Sequence, residues 1–123
     1  MPTTVAYVTP GMKIFSTEAF GPVVAIIKAR DLDEAIELAN STDYGLSATV
    51  ITQNVANHLR CAEEIETGML HVNSPSLQDG AHIPFGGVKM SGLGREGGHF
   101  SIEEMTELKW ITVEGMGNHK YPF

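Results

Sequence analysis

The sequence contains very little cysteine and few basic residues. Cys61 is the single cysteine in 123 residues, which excludes an intrachain disulfide framework and fits a reducing, cytoplasmic compartment. Eight Lys and Arg stand against 15 Asp and Glu, and the formal net charge is −7. Because nucleic acids and anionic membranes bind clustered basic side chains, this balance argues against both as partners.

Long hydrophobic runs are also missing. No apolar stretch approaches the roughly 20 residues of a membrane span, and residues 1–9 show neither the basic nor the long apolar region of a secretory signal. Hydrophobic residues make up 42% and charged residues 19% of the chain, which is the balance of one ordinary globular domain. We therefore expect a single domain in the cytoplasm.

Strand-like and helix-like segments alternate over the first 73 residues. Continuous β-branched runs, such as Val23 to Ile27, predict buried strands. Strands are predicted over 4–8, 23–27, 46–52 and 69–73. Helices are predicted over 31–40 and from Asn54 to a C-terminal cap at Gly68, because their apolar residues fall on one face. This order predicts an α/β fold, a partial parallel sheet with crossover helices.

The remainder of the chain has a different character. Residues 74–98 are rich in Gly, Pro and Ser, and a loop of that length is usually functional or held by a partner. A short helix is predicted over 101–105. Glu107–Glu114 alternates apolar and polar residues and predicts a protruding edge strand, which must be covered, often by another subunit. The tail, 115–123, is expected to be mobile.

Three groups of motifs, in this order, resemble the aldehyde dehydrogenase superfamily. The first comprises Met12–Ile14 and Glu18–Val23 (EAFGPV). The second comprises Ala39-Asn40 and Tyr44–Ala48. The third comprises Val72-Asn73, Pro84–Glu96 (PFGGVKMSGLGRE) and Thr106–Lys109. The segments 73–85 and 108–112 look most similar to the vanillin, benzaldehyde and salicylaldehyde dehydrogenase branch.

The resemblance implies an activity and a division of the chain. Family members oxidise an aldehyde to a carboxylic acid with NAD or NADP, using a cysteine nucleophile, a glutamate that activates water, and a Rossmann domain. By the resemblance, all three lie upstream of these residues. Residues 1–105 then correspond to the C-terminal portion of the catalytic domain, 106–114 to an oligomerisation strand and 115–123 to a tail. We expect no activity and no bound cofactor for this chain alone.

Two residues are implied at the cofactor. Glu18 matches the family glutamate that hydrogen-bonds the nicotinamide ribose, and Phe20 matches a phenylalanine that packs near the nicotinamide. A carboxylate suits a diol because it can accept two charge-strengthened hydrogen bonds. The alternative is a solvated turn glutamate followed by a core phenylalanine.

Other positions are implied at the substrate and at a subunit interface. Phe85 matches a position lining the aldehyde channel, and Ser76 and Leu77 lie in the loop that varies with substrate class. Leu77 can equally be an ordinary loop residue. Arg95 matches a member of an interface network that includes the position of Glu107, the alternative being an exposed ion pair of almost no energetic value.

Three tempting patterns are interpreted as structural. Cys61 lies within a predicted helix and lacks the Gly-Gln-x-Cys-like surroundings of the family nucleophile. Together with His58 it supplies two metal ligands, whereas zinc usually takes four. Gly92–Gly97 fits G-x-G-x-x-G without the strand and βαβ unit of a dinucleotide site, so we expect a tight loop. Glu96 and Glu104 are interpreted as solvated.

Two functions follow from these patterns. The first is a C-terminal fragment of an NAD(P)-dependent aldehyde dehydrogenase, inactive alone. The second is a non-catalytic oligomerisation or interaction module, whose edge strand drives self-association or docking onto a full-length homologue or a missing N-terminal half. Both lead us to expect a dimer or higher oligomer.

Overall fold

A computed structural model describes residues 1–115 and 117 as a series of short strands and helices. In chain order they are β1 Thr3–Val5, α1 Lys13–Ser16, β2 Val23–Ala25, α2 Leu32–Asn40, β3 Tyr44–Gly45, β4 Ser47–Val50, α3 Val55–Glu64, β5 Met69–Val72, β6 Val88–Lys89 and α4 Gly98–Met105. The sequence predicted all of these except α1, β3 and β6, although it placed the start of α4 later.

The strands pair two by two. β1 and β2 are parallel, with Thr3 opposite Val23, and β4 and β5 are parallel, with Ser47 opposite Met69. β3 and β6 form a two-residue antiparallel ladder. The expected α/β fold with parallel strands and crossover helices is therefore confirmed. Among the described residues, however, the parallel strands form two separate pairs rather than one continuous sheet.

Both longer helices begin at a side-chain cap. The Asp31 carboxylate accepts the backbone N–H of Glu34 at 2.9 Å, and the Glu34 carboxylate in turn accepts the backbone N–H of Arg30. Asn54 caps α3 by accepting the N–H of Ala56 at 2.9 Å. Such caps satisfy backbone donors that a helix start leaves open, which is why these helices begin where they do.

The predicted helix cap at Gly68 is wrong, because α3 already ends at Glu64. The side chain of Asn40 terminates it instead, donating to the carbonyl of Glu64 at 2.7 Å and accepting the N–H of Glu66 at 2.8 Å. A glycine is needed at position 68 for a different reason. A Cβ there would lie 1.9 Å from the carbonyl oxygen of Gly86, so Gly68 permits a close backbone crossing.

Little of the chain is buried. Among the described residues the buried hydrophobic side chains are Val8, Ile36 and Cys61. The accessible surface is 10197 Å², against about 6,500 Å² for a compact monomer of this mass. The seven residues outside the described range account for no more than about 1,300 Å² of this total. Apolar surface that a compact domain would bury is therefore open, including Val24 and Ile26 on and after β2.

Residues 107–114 form no strand pairing with the other described residues. Their large apolar side chains are exposed, and they are Leu108, Trp110, Ile111 and Val113. The protruding edge strand expected here, covered by another subunit, stays a prediction. Most of the predicted mobile tail, 115–123, lies outside the described residues. None of the helices that the structure describes is both long and apolar enough to cross a bilayer.

Candidate active-site border

A groove of about 590 Å³ opens between the segment that follows α1 and the start of β4. One wall is formed by residues 15–18 and the other by residues 46–48. Tyr44, Glu66, Met90 and Ser91 also line it. The groove is held by long-range bonds, because the Ser91 hydroxyl accepts the N–H of Gly45 at 2.9 Å. The motif segments around Glu18, Gly45 and Ser91 are distant in sequence but meet at this groove.

Glu18 lines this groove and is exposed. Its position at the wall leaves the carboxylate accessible to a polar ligand. Phe20, two residues on, does not line the groove and is 96% exposed. The alternative interpretation of Phe20 as a core residue is therefore wrong for the described chain, and its ring is available to pack against something else.

Ser76 and Leu77 occupy the tip of a turn that we call the 74–78 turn. The N–H of Gln78 donates to the carbonyl of Pro75 at 3.3 Å, which closes the turn. Leu77 is 91% exposed at its tip. The turn therefore presents one polar and one apolar side chain to the outside, and neither residue lines the groove.

Phe85 is half-buried and is fixed by its backbone. It exchanges two hydrogen bonds with Glu96, N–H to carbonyl in both directions, each 2.8 Å long. Through this antiparallel bridge the Gly-rich segment folds back on itself. Glu96 contributes its backbone here, so its side chain has no role in the bridge.

Arg95 is occupied within its own loop. Its guanidinium donates to the carbonyls of Gly87 at 2.7 Å and Gly94 at 2.9 Å. The expected pair with Glu107 does not occur among the ion pairs of the described residues. Glu107 is exposed in the unpaired segment, so a contact between the two across an interface stays a prediction.

Cys61 lies on α3 and is 2% exposed. It is one of the few truly buried side chains, so a substrate cannot reach its sulfur without unfolding. Its neighbour His58 places Nε2 2.6 Å from the carbonyl oxygen of Thr52, a bond that fixes the start of α3. No group of three potential metal ligands occurs in the described part of the chain.

The glycine pattern Gly92–Gly97 is not a dinucleotide fingerprint. The preceding strand, β6, has two residues and pairs antiparallel, and no parallel strand follows α4 among the described residues. Gly97 has φ +94° and precedes α4, and a Cβ there would meet the carbonyl oxygen of Ile83 at 2.3 Å. The interpretation as a tight loop thus agrees with the geometry.

A lysine that the sequence did not single out does not itself line the groove, but it binds Thr42 and Glu66, which do. The Lys89 ammonium donates to the carbonyls of Asn40, the last residue of α2, at 2.7 Å and of Thr42 at 3.2 Å. It also pairs with Glu66 at 2.7 Å. Lys89 has φ +54°, a left-handed conformation that non-glycine residues rarely adopt. No sequence pattern marks a lysine for this conformation, although the residue lies inside a quoted motif.

Two hydroxyls of β4 were likewise missed. Ser47 donates to the carbonyl of Ser76 at 2.8 Å, and Thr49 donates to the carbonyl of Ser74 at 3.1 Å. Spacing of two along the strand places both hydroxyls on one face. That alternation was visible in the sequence, but the partner loop has no periodicity from which its approach could be predicted.

The ionisable side chains whose pKa is clearly shifted, Glu34 and Arg60 among them, do not line the groove. The pKa of Glu34 is lowered, chiefly by the backbone N–H of Arg30 and then by its guanidinium. The pKa of Arg60 is raised, first by its hydrogen bond to Glu64 and then by that to Asp33. These ion pairs brace the starts and ends of α2 and α3 rather than a reactive centre.

Comparisons with known proteins agree with this geometry. Residues 1–111 match the model of the aldehyde dehydrogenase family. Benzaldehyde dehydrogenase YfmT of Bacillus subtilis is 48% identical over 113 residues, 92% of this chain and 23% of that protein. Vanillin dehydrogenase of Pseudomonas fluorescens is 38% identical over 121 residues, 98% of this chain and 25% of that protein. The chain therefore spans about a quarter of the relatives' length.

Solved structures share the fold. The crystal structure of a salicylaldehyde dehydrogenase from Pseudomonas putida G7 in complex with salicylaldehyde superposes with a TM-score of 0.89 at 39% identity, over 99% of this chain and 25% of that one. A Mycobacterium tuberculosis aldehyde dehydrogenase with NAD+ superposes at 0.80 and 39% identity, over 86% of this chain and 22% of that one. A glyceraldehyde-3-phosphate dehydrogenase with NADP, from Methanocaldococcus jannaschii, superposes with a TM-score of 0.80 at 41% identity, over 88% of this chain and 23% of that one.

The family expectation from the three motif groups is thus confirmed in sequence and in fold, including the similarity to benzaldehyde, vanillin and salicylaldehyde dehydrogenases. The groove-lining segments all fall inside the matched range. This chain belongs to the aldehyde dehydrogenase family.

Proposed function

We propose that this chain supplies one border of the active site of an NAD(P)-dependent aldehyde dehydrogenase, which oxidises an aromatic aldehyde to the carboxylic acid. One observation carries the proposal: Glu18 lies exposed on the groove, whereas the only thiol, Cys61, is buried in α3. The chain offers a place to bind and orient, and it offers no accessible nucleophilic cysteine. On this proposal it does not oxidise aldehydes by itself.

The cofactor side of the border consists of Glu18 and Phe20. NAD or NADP, when bound in the whole enzyme, supplies the hydride acceptor. Glu18 would hold the nicotinamide ribose by accepting hydrogen bonds from its diol, because a carboxylate offers two oxygens to two hydroxyls. The exposed ring of Phe20 would pack beside the nicotinamide and restrict its orientation.

The substrate side of the border consists of Phe85, Leu77 and Ser76. The backbone of Phe85 is fixed by its bridge to Glu96, and Leu77 is exposed at the tip of the 74–78 turn. Apolar side chains of this kind suit an aromatic ring with one polar anchor nearby. The relatives named for benzaldehyde, vanillin and salicylaldehyde support an aromatic substrate.

A chimera tests the proposal. The matched segment of Bacillus subtilis benzaldehyde dehydrogenase is replaced by this chain, and NADH formation from benzaldehyde is measured. We expect turnover, and we expect Glu18→Gln to raise the KM for NAD by about tenfold because it weakens charged hydrogen bonds. The matched control is Glu37→Gln, an exposed glutamate on α2. A folded but inactive chimera, or equal KM values in both variants, would contradict the proposal.

A second proposed role, self-association, is favoured by the exposed segment 107–114. Four large apolar side chains are exposed there without any strand pairing among the described residues. The total accessible surface of the chain is also far above that of a compact monomer. Contiguous exposed apolar side chains of this kind usually meet a partner. We propose a second copy or a full-length homologue as that partner, with Arg95 and Glu107 in the contact.

A further inference from the structure

The 74–78 turn is not a free loop, because two of its carbonyls accept hydrogen bonds from side chains of β4. Thr49 reaches the carbonyl of Ser74, and Ser47 reaches the carbonyl of Ser76. Moving back along β4 from Thr49 to Ser47 therefore moves forward along the turn from Ser74 to Ser76. The loop therefore runs antiparallel to β4, with side-chain hydroxyls standing where backbone donors would stand in a sheet.

The point at which the chain reverses is itself fixed. Asn73 adopts a left-handed conformation with φ +52° directly after β5. Its side chain accepts the N–H of Thr52 at 2.9 Å and donates to the carbonyl of Thr52 at 2.9 Å. Asparagine tolerates this conformation better than most residues. The turn is thus anchored at its root by Asn73 and along its length by the two hydroxyls.

The hydroxyls act on the residues that present the proposed substrate wall. The carbonyl that Ser47 binds belongs to Ser76, and Leu77 follows it at the exposed tip. Ser47 also lines the groove that contains Glu18. One β4 residue therefore both lines the groove that contains Glu18 and binds the backbone of the 74–78 turn.

From this geometry we propose that Ser47 and Thr49 are positioning residues for substrate specificity. They hold the 74–78 turn in one register, so that Ser76 and Leu77 face the aldehyde ring in one arrangement. The specificity part of this inference rests on the function proposed above. The positioning part concerns this chain alone and can be measured on it directly.

The first experiment measures amide hydrogen exchange of the peptide 74–78 in the purified chain. Ser47→Ala and Thr49→Val each remove one hydroxyl–carbonyl bond, and each is expected to speed exchange there by about fivefold. Thr49→Ser keeps a hydroxyl and should exchange at the parent rate. Ser41→Ala is the matched control, since it removes the same kind of bond, to the carbonyl of Leu38, far from the turn.

The exchange result decides the positioning claim whatever the chimera does. Faster exchange at 74–78 in the double variant Ser47→Ala/Thr49→Val, with unchanged exchange in β5, supports it. Exchange at 74–78 equal to that of the Ser41→Ala control overturns it. Because Ser47→Ala removes one atom and Thr49→Val only exchanges a hydroxyl for a methyl group on a short strand, a global loss of structure is not expected, and circular dichroism checks this.

The second experiment measures specificity in the chimera. KM is compared for benzaldehyde and vanillin, which differ in their ring substituents. The double variant is expected to change the ratio of the two KM values by about fivefold, with a smaller change in kcat. A loosened turn with an unchanged KM ratio in an active chimera overturns the specificity claim. A folded chimera that is inactive with every aldehyde contradicts the proposed function instead.

Discussion

The ammonium of Lys89 lies 2.7 Å from a carboxylate oxygen of Glu66, and the pair joins β6 to the segment that follows α3. The same ammonium binds two carbonyls at and just after the end of α2. Because Lys89 is only 23% exposed in its side chain, its removal leaves carbonyls without their donor. This one side chain therefore links β6 to the end of α2 and to the segment after α3.

Replacement of Lys89 should cost more than loss of its ion pair alone. We expect Lys89→Met to lower the free energy of unfolding by about 1.5–3 kcal/mol, since charged hydrogen bonds to carbonyls are lost. Glu66→Gln removes only the charge of a partner that is 59% exposed, and should cost about 1 kcal/mol or less. Urea unfolding followed by circular dichroism compares the two. Equal losses would show that the carbonyl contacts contribute nothing.

Gly68 should tolerate no side chain. An alanine Cβ would collide with the backbone of Gly86, which cannot move aside as a flexible side chain would. We expect Gly68→Ala to destabilise the chain by about 1–3 kcal/mol. The control is Gly21→Ala, where nothing lies within 4 Å of the new Cβ. Thermal unfolding distinguishes them, and a neutral Gly68→Ala would mean that the crossing is looser than described.

Acid should weaken the start of α2. The pKa of Glu34 is lowered, chiefly by the Arg30 backbone N–H. The stabilisation is therefore complete above the ordinary glutamate pKa of about 4.3 and is lost as the pH falls through the lower folded-state value. Glu34→Gln should be less stable than the parent near neutral pH, and the difference should shrink in acid. Glu63→Gln, on α3, is the control. A difference that is constant across the pH range would contradict this assignment.

The buried thiol gives a probe of folding. Cys61 is 2% exposed, so we expect a soluble disulfide reagent to label it slowly in the native chain and rapidly in urea, because reaction requires opening of the α2–α3 packing. Fast native labelling would contradict the burial that excludes Cys61 as a nucleophile. Cys61→Ala serves as the unlabelled control.

Association should depend on the apolar segment 107–114. We expect sedimentation to show a dimer or larger species, and Trp110→Lys to shift it toward monomer, because a charge would enter an apolar contact. Lys13→Glu, on α1, is a charge-changing control outside the segment. Equal sedimentation coefficients for the parent and Trp110→Lys would show that the segment 107–114 does not form the interface.

Much of the fold could be predicted from local pattern. The β-branched run at Val23 and the apolar faces of α2 and α3 specify their own elements, because periodicity decides which side is buried. Gly68 could not be interpreted in the same way. Its reason is a contact with Gly86, far along the chain, and the predicted helix cap used only local information.

The residues of the candidate site likewise fall into those that a motif identifies and those that depend on contacts distant in sequence. Glu18 was identified through a motif; it lies exposed on the groove, and its role at the cofactor stays a prediction. Lys89, Ser47 and Thr49 were missed because their partners are carbonyls, which every residue has. No sequence pattern tells a hydroxyl which distant carbonyl it will meet. Such positioning contacts emerge only from the three-dimensional arrangement.

The most direct test of the account compares NADH formation from benzaldehyde by the purified chain alone and by the chimera that carries it. We expect no turnover by the chain alone, since its one thiol is buried, and turnover by the chimera that depends on Glu18 for NAD affinity. Aldehyde oxidation by the chain alone that disappears in Cys61→Ala would contradict it.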